Sequence, residues 1–235
     1  MQVNRSNIAM PGTGRQRSSQ RHDHSKRNIA DPAVPQQSGT GPARHLGGVL
    51  WMTGLSGSGK STLAGCLHAA LMQRGWRSFI LDGDLLRETL NADLGFSEAD
   101  RRENVRRAGE VAALFAGTGY IVIAAFISPY RDSRERLRTR LEAAFHEIHL
   151  CTPLEVCEAR DPKQLYRKAR NGLIPAFTGI GDPYEAPLQP ELRLDTGELD
   201  AERCTALLLD YAQRRFSLPA DRQTAKRTRV VVQGH

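Results

Sequence analysis

Between Gly54 and Ser61 the chain reads GLSGSGKS; the apolar run GVLWMTG leads into it, and KSTLAGCLHAALMQRG leads out with Leu63, Leu67, Ala70 and Leu71 at helical spacing. A strand that ends in a glycine-rich turn and passes directly into a helix is the setting in which G-x-x-x-x-G-K-[ST] forms a phosphate loop. The glycines admit backbone angles closed to other residues, so the N–H groups of Gly54, Leu55, Ser56, Gly57, Ser58 and Gly59 can turn inward onto phosphate oxygens. Lys60 adds a positive charge at the β- and γ-phosphates, Ser61 offers a hydroxyl to Mg²⁺, and the helix N-terminus contributes its partial positive charge. These eight residues form the expected ATP site.

The loop also dictates the surrounding architecture, because strands and helices alternate after it. SFILDGD reads as a second strand ending in two carboxylates, set beside the phosphate loop. SEADRRENVRRAGEVAALFAGTG reads as a helix that Ser97 and Asp100 cap, with Val105, Ala108, Ala112 and Phe115 on its apolar face. YIVIAAFI is apolar throughout, as suits a central parallel strand covered on both sides. A charged helix over 132–144, the strand FHEIHLCT, a helix with Pro153 at its first position, the strand ELRLDT and a helix over 200–215 complete the pattern. This predicts an α/β P-loop NTPase fold: an open parallel sheet of five strands with helices on both faces.

Charge separates the domain from its ends. Residues 1–45 carry seven Lys/Arg against two Asp and residues 214–235 six against one, whereas 46–213 hold twenty basic and twenty-three acidic residues. The net +7 therefore belongs to the ends. A nucleic-acid groove needs its basic residues on a folded face, so no nucleic-acid partner is expected. Residues 1–45, rich in Gly, Pro, Ser, Gln and Arg, are expected to be disordered; the folded domain is expected over 46–215 and a second basic tail over 216–235. The first tail resembles a transit peptide in its Arg and Ser but lacks amphipathic spacing. No apolar run nears the roughly 20 residues a bilayer span needs, and the four cysteines show no metal spacing, so a cytoplasmic protein with buried reduced thiols and no membrane partner is expected.

A phosphate loop serves motors, switches and small-molecule kinases alike. The third strand ends without the aspartate that motors and many switches use for magnesium, and no N-K-x-D occurs, which argues against both. The acceptor chemistry then falls to residues 81–107. Asp82 and Asp84 supply one carboxylate to organise Mg²⁺ and one to take a proton from an attacking hydroxyl, although Asp and Gly are also ordinary at a strand-end turn. Arg87 and Arg101 carry guanidinium forks suited to tetrahedral oxyanions, Asn104 is a further donor, and Phe96 offers a stacking face. Arg102, Arg106 and Arg107 fit a solvated helix face.

As a set, GLSGSGKST, LDGD, DLGFS, ADRRENVRR, FISPYR, TPLEVCEARDPKQLYRKAR and FTGIGDPYEAP resemble the adenylylsulfate kinases, over about 47–213. The resemblance implies transfer of a phosphate from ATP to the 3′-hydroxyl of adenosine 5′-phosphosulfate, with Mg²⁺, in a homodimer. It implies Asp84 as base, Asp82 near the metal, and contacts to the adenylylsulfate from Arg87, Phe96, Arg101, Asn104 and Ile127. Ser128 matches the serine traditionally given a phosphorylated intermediate; a hydrogen-bonding role, with direct transfer, is the alternative. Residues 160–187 resemble a lid, with Arg160, Lys163 and Lys168 closing over the nucleotides and Phe177 over the acceptor's adenine. Three positions depart from the family pattern: Leu85 and Ala176 where asparagine is usual, and Gln164 where glycine is. A kinase for another small acceptor and a silent nucleotide-binding regulator remain the rival readings.

Overall fold

The computed structural model describes residues 45–218. Five parallel strands form one sheet in the order β2-β3-β1-β4-β5: β1 (Gly48–Thr53), β2 (Ser78–Asp82), β3 (Ile121–Ala125), β4 (Phe145–Leu150) and β5 (Leu192–Leu194). Alternation along the strands divides the core. Leu50, Met52, Ile121, Ile123, Ile148 and Leu150 point to one face, where Leu63, Leu67 and Leu71 of α1 (Lys60–Gln73) and Leu208 of α7 (Ala201–Phe216) cover them. Val49, Trp51, Val122, Ala124 and Phe145 point to the other, onto Val105, Ala108 and Ala112 of α3 (Glu98–Gly117) and Leu137 of α4 (Arg131–Leu141). Because both faces are covered, every residue of β1 and β3 is buried, which is why these strands read as unbroken apolar runs.

Helix ends follow local chemistry. Gly75 takes a left-handed φ of 72°, and the pair Trp76 N–H to Leu71 O (3.0 Å) and Gly75 N–H to Met72 O (2.9 Å) closes α1 in a Schellman turn. Ser97 caps α3 by accepting from the Asp100 amide at 3.2 Å. The other expectations need small corrections. Pro153 is the N-cap of α5 (Leu154–Arg160) rather than its first residue, and α4 stops at Leu141 before a short 3₁₀ turn. Cys157 and Cys204 are buried, but Cys66 is exposed on α1.

Two larger differences concern the site. β2 is an edge strand, because β3 lies between it and β1; Asp82 reaches the phosphate loop through the start of α1 rather than through a neighbouring strand. Asp84 is not part of the strand end. It belongs to α2 (Gly83–Glu88), a helix too short for apolar periodicity to reveal, for which Asp82 is the N-cap. The folded body also runs slightly past the expected 46–215: Phe216 is 2% exposed, and His45 pairs with Ser217 in an antiparallel bridge. Otherwise the expected basic tails lie outside the described residues. Among the described residues no helix is long and apolar enough to cross a membrane.

Candidate active site

The C-terminal ends of the strands open into a cavity of about 1240 Å³, larger than the roughly 300–1,000 Å³ that one drug-sized ligand needs. Ser56, Gly57, Gly59, Lys60 and Ser61 line one side. The N-cap of α1 is Gly59, which has no capping side chain, and no acidic residue occupies the helix's first turn. Its leading amides are therefore available to an anion. Gly57, at φ 77°, lies so close to α5 that a Cβ there would approach the Cys157 carbonyl oxygen to 2.7 Å. Gly54 and Ser58 are buried within the loop, and Leu55 packs against the small apolar cluster of the lid instead of facing the cavity.

Lys60 turns back on its own loop, donating to the carbonyls of Gly54 (2.9 Å) and Leu55 (2.7 Å). Burial of its ammonium pushes the pKa down from 10.5 to about 8, against the opposing pull of Cys157, Asp84 and Asp82. A lysine whose folded-state value is depressed costs the ligand-free fold stability below pH 8, and that cost is relieved as pH rises from about 8 toward 10.5. Bound phosphates act in the opposite sense and restore the proton. We therefore expect proton uptake when a non-hydrolysable ATP analogue binds near pH 8.5, read by calorimetry as an enthalpy that depends on the buffer's ionisation heat. Lys60→Met should abolish that dependence; its persistence in the variant would assign the proton elsewhere.

Ser61 Oγ donates to Asp82 Oδ2 at 2.8 Å, while Asp82 Oδ1 accepts from the Asp84 amide at 2.9 Å. A hydroxyl and a carboxylate side by side are hard oxygen donors suited to Mg²⁺. Among the described residues no group of three or more His, Cys, Asp or Glu could cage a metal. The pair thus suits an ion that keeps water and phosphate oxygens as its other ligands.

Arg87, Phe96, Arg101, Asn104 and Ile127 line the other side of the cavity, as does Asp84. Phe96 is 63% exposed and lies beneath the Arg87 guanidinium, 4.5 Å from ring centroid to Cζ. Arg87 donates to the Gly95 carbonyl at 2.7 Å. Arg101 is more committed: it donates to Phe96 O (2.9 Å), Thr178 Oγ1 (3.2 Å) and Ala176 O (2.6 Å), with Asp182 at 3.7 Å. It therefore holds the lid as well as facing the cavity. Asn104 accepts from Asn91 Nδ2 at 2.9 Å. Arg102, Arg106 and Arg107 are paired with Glu98, Glu103 and Asp93 on the α3 surface, as a solvated face should be.

The lid carries its own apolar cluster: Cys157, Tyr166 and Ala169 of α5 and α6 (Leu165–Arg170), together with Phe177. Phe177 is 6% exposed and packs edge-to-face on Tyr166 at 4.9 Å, so it is a core residue of the lid that also borders the cavity. Lys163 forms an ion pair with Asp84 across the cavity mouth. Lys168 is exposed and does not line the cavity, contrary to the expected closing role. Arg160 binds the phosphate loop and its neighbour, donating to Gly57 O (3.3 Å) and Thr196 Oγ1 (2.8 Å). Of the departures, Gln164 sits at φ 54°, a conformation that glycine adopts freely; Leu85 is half exposed; and Ala176 contributes its carbonyl to Arg101.

Several site residues have no motif to announce them. Thr196, Leu199, Asp200 and Ala201 line the phosphate-loop side; their one signal is position, just beyond the C-terminal end of a parallel strand. Tyr166 ties the lid to the loop by donating to Ser56 O at 3.0 Å. Ser128 is 3% exposed at φ 40°, a left-handed conformation costing a non-glycine residue about 1–3 kcal/mol. Its hydroxyl accepts from Trp51 Nε1 (3.1 Å) and donates to Thr53 Oγ1 (2.9 Å), which also meets Tyr184 at 3.0 Å.

A phosphate loop facing an arginine-lined pocket under a lid defines a P-loop kinase with a small acceptor. The chain belongs to the adenylylsulphate kinase family, whose model matches residues 46–195. It is 52% identical over 175 residues to a probable adenylyl-sulfate kinase of Bacillus subtilis (strain 168), covering 74% of this chain and 89% of that one. The adenylyl-sulfate kinase of Geotalea uraniireducens (strain Rf4) is 56% identical over 168 residues, 71% and 81% of the two chains. Among solved structures, the Mycobacterium tuberculosis APS kinase CysC in complex with AMPPNP and APS is 45% identical with a TM-score of 0.68, covering 72% of this chain and 98% of that one.

Proposed function

We propose that the protein transfers the γ-phosphoryl group of ATP directly to the 3′-hydroxyl of adenosine 5′-phosphosulfate, releasing ADP and 3′-phosphoadenylylsulfate. One observation carries this reading: a single cavity joins the uncapped start of α1 to a wall bearing Arg87, Phe96, Arg101 and Asn104. Two anionic nucleotides can meet there end to end. The phosphate-loop amides and Lys60 bind the donor's phosphates and stabilise the charge spread over the transferring group. Arg87 and Arg101 grip the acceptor's phosphosulfate, and Phe96 stacks on its base. Asp84 orients the hydroxyl and accepts its proton once Lys163 yields to substrate. Ser61 and Asp82 would hold Mg²⁺, which would supply charge neutralisation for the phosphates. The lid excludes water, which would otherwise accept the phosphoryl group.

Direct transfer is preferred to a phosphoserine relay because the Ser128 hydroxyl is buried and engaged with Trp51 and Thr53. A single-turnover quench with γ-labelled ATP is expected to leave Ser128 unlabelled; phosphoserine that forms and decays at the turnover rate would reverse this preference. For the activity itself, purified protein is assayed with ATP, Mg²⁺ and a panel of acceptors, with the product identified by mass. Rapid ADP release with adenylylsulfate alone is expected. Equal release with nucleoside monophosphates or sugar acids would overturn the acceptor assignment. A cytoplasmic homodimer is the expected working form, the assembly being checked by light scattering.

A further inference from the structure

Arg134 lies in a helix whose sequence, RDSRERLRTRL, reads as solvent-facing, yet the residue is only 1% exposed. Its guanidinium is spent on three separate parts of the fold. Nε donates to Glu147 Oε1 of β4, one terminal nitrogen to the carbonyl of Ser128 and the other to the carbonyl of Glu185, each at 2.6 Å. The Tyr184 ring stands 5.9 Å from its Cζ. Ser128 is the left-handed residue three positions beyond β3, and Tyr184–Ala186 is where the chain returns from the lid to the body. Two further contacts join the same segments: the Glu185 amide donates to Pro129 O at 2.9 Å, and the Arg131 amide to Glu185 Oε2 at 2.7 Å. By contrast, the outgoing arm of the lid meets α2 through the exposed Lys163–Asp84 pair.

A buried ion pair is weak evidence of stabilisation, since desolvation offsets much of its attraction. A planar fork with three acceptors in fixed directions is instead suited to holding geometry. We propose that Arg134 is a positioning residue for phosphoryl transfer, fixing the backbone of Ser128 and the return arm of the lid relative to β4. Acting through Ser128 and Tyr184, it keeps Thr53, and with it the start of the phosphate loop, in register with the acceptor side of the cavity. This rests on the reading of the cavity given above.

The test uses the full chain and three variants, assayed well below each one's melting temperature so that all are folded. Glu147→Gln removes the charge pairing but leaves both carbonyls held by Arg134. Arg134→Met removes all three bonds, and Arg134→Lys keeps the charge without the fork. Turnover is expected to fall by about 30–100-fold in Arg134→Met, with only partial recovery in Arg134→Lys and KM for ATP within about twofold of the parent. Glu147→Gln should melt lower yet turn over within about threefold of the parent. Hydrogen exchange in Arg134→Met should accelerate over 127–131 and 183–187. Turnover in Arg134→Met within about threefold of the parent, an equal loss in Glu147→Gln, or unchanged exchange in the two segments would overturn the proposal. If the parent protein itself fails to phosphorylate adenylylsulfate, the functional reading falls, and the exchange comparison decides the anchoring role alone. Should Arg134→Met not fold, the contrast between Arg134→Lys and Glu147→Gln decides by the same criteria.

Discussion

Lys60→Ala is expected to lower turnover by roughly 10³-fold, equivalent to about 4 kcal/mol of barrier, in a coupled assay of ADP release. The magnitude follows from removing a full charge at the point where negative charge develops. A second outcome separates catalysis from folding. Because burial depresses the Lys60 pKa, the ligand-free fold carries a penalty for that ammonium, so alanine should leave the melting temperature unchanged or raised. The two carbonyls that Lys60 now satisfies belong to the loop's own backbone and are expected to turn to water. Turnover within tenfold of the parent would remove Lys60 from the chemistry.

Asp84→Asn carries the second large effect. Loss of the proposed base should reduce turnover by about 10²–10⁴-fold while leaving the affinity for an ATP analogue within about twofold, because Asp84 stands on α2 and not in the phosphate loop. Asparagine preserves the shape, and the amide of residue 84 still donates to Asp82 Oδ1, so the Asp82 cap and its contact with Ser61 persist. Breaking the Lys163 pair costs little stability, since both side chains are more than half exposed. Equal losses of turnover and ATP affinity would make Asp84 a structural residue instead.

Much of the phosphate half of the site was legible in the sequence because backbone conformation, which glycine spacing reports, is what binds phosphate. β1 and β3 were equally plain, since burial on both faces leaves no polar position to interrupt the pattern. Strand order was not legible. Apolar periodicity states how deeply a strand is buried and nothing about which edge it joins, so the insertion of β3 between β1 and β2 had no local signal. Arg134 and Glu147 were hidden for a related reason: among neighbouring charges, a buried arginine has the same letter as a solvated one, and only the packing of α4 on β4 separates them. Tyr166, Tyr184 and Thr196 act by reaching across more than a hundred positions of chain, beyond any spacing a motif can carry.

The closure of the body at His45 and Ser217 has a practical consequence. The Leu46 amide donates to Phe216 O at 2.7 Å, and Phe216 packs where Gly48 has no side chain, so the polypeptide enters and leaves side by side beneath the amino ends of the strands. The cavity opens at the opposite pole, at the carboxyl ends of the strands. Whatever is appended at either junction, whether a tag, a surface tether or a companion module, starts from the pole remote from catalysis, and the two junctions lie near enough to be bridged by a few residues.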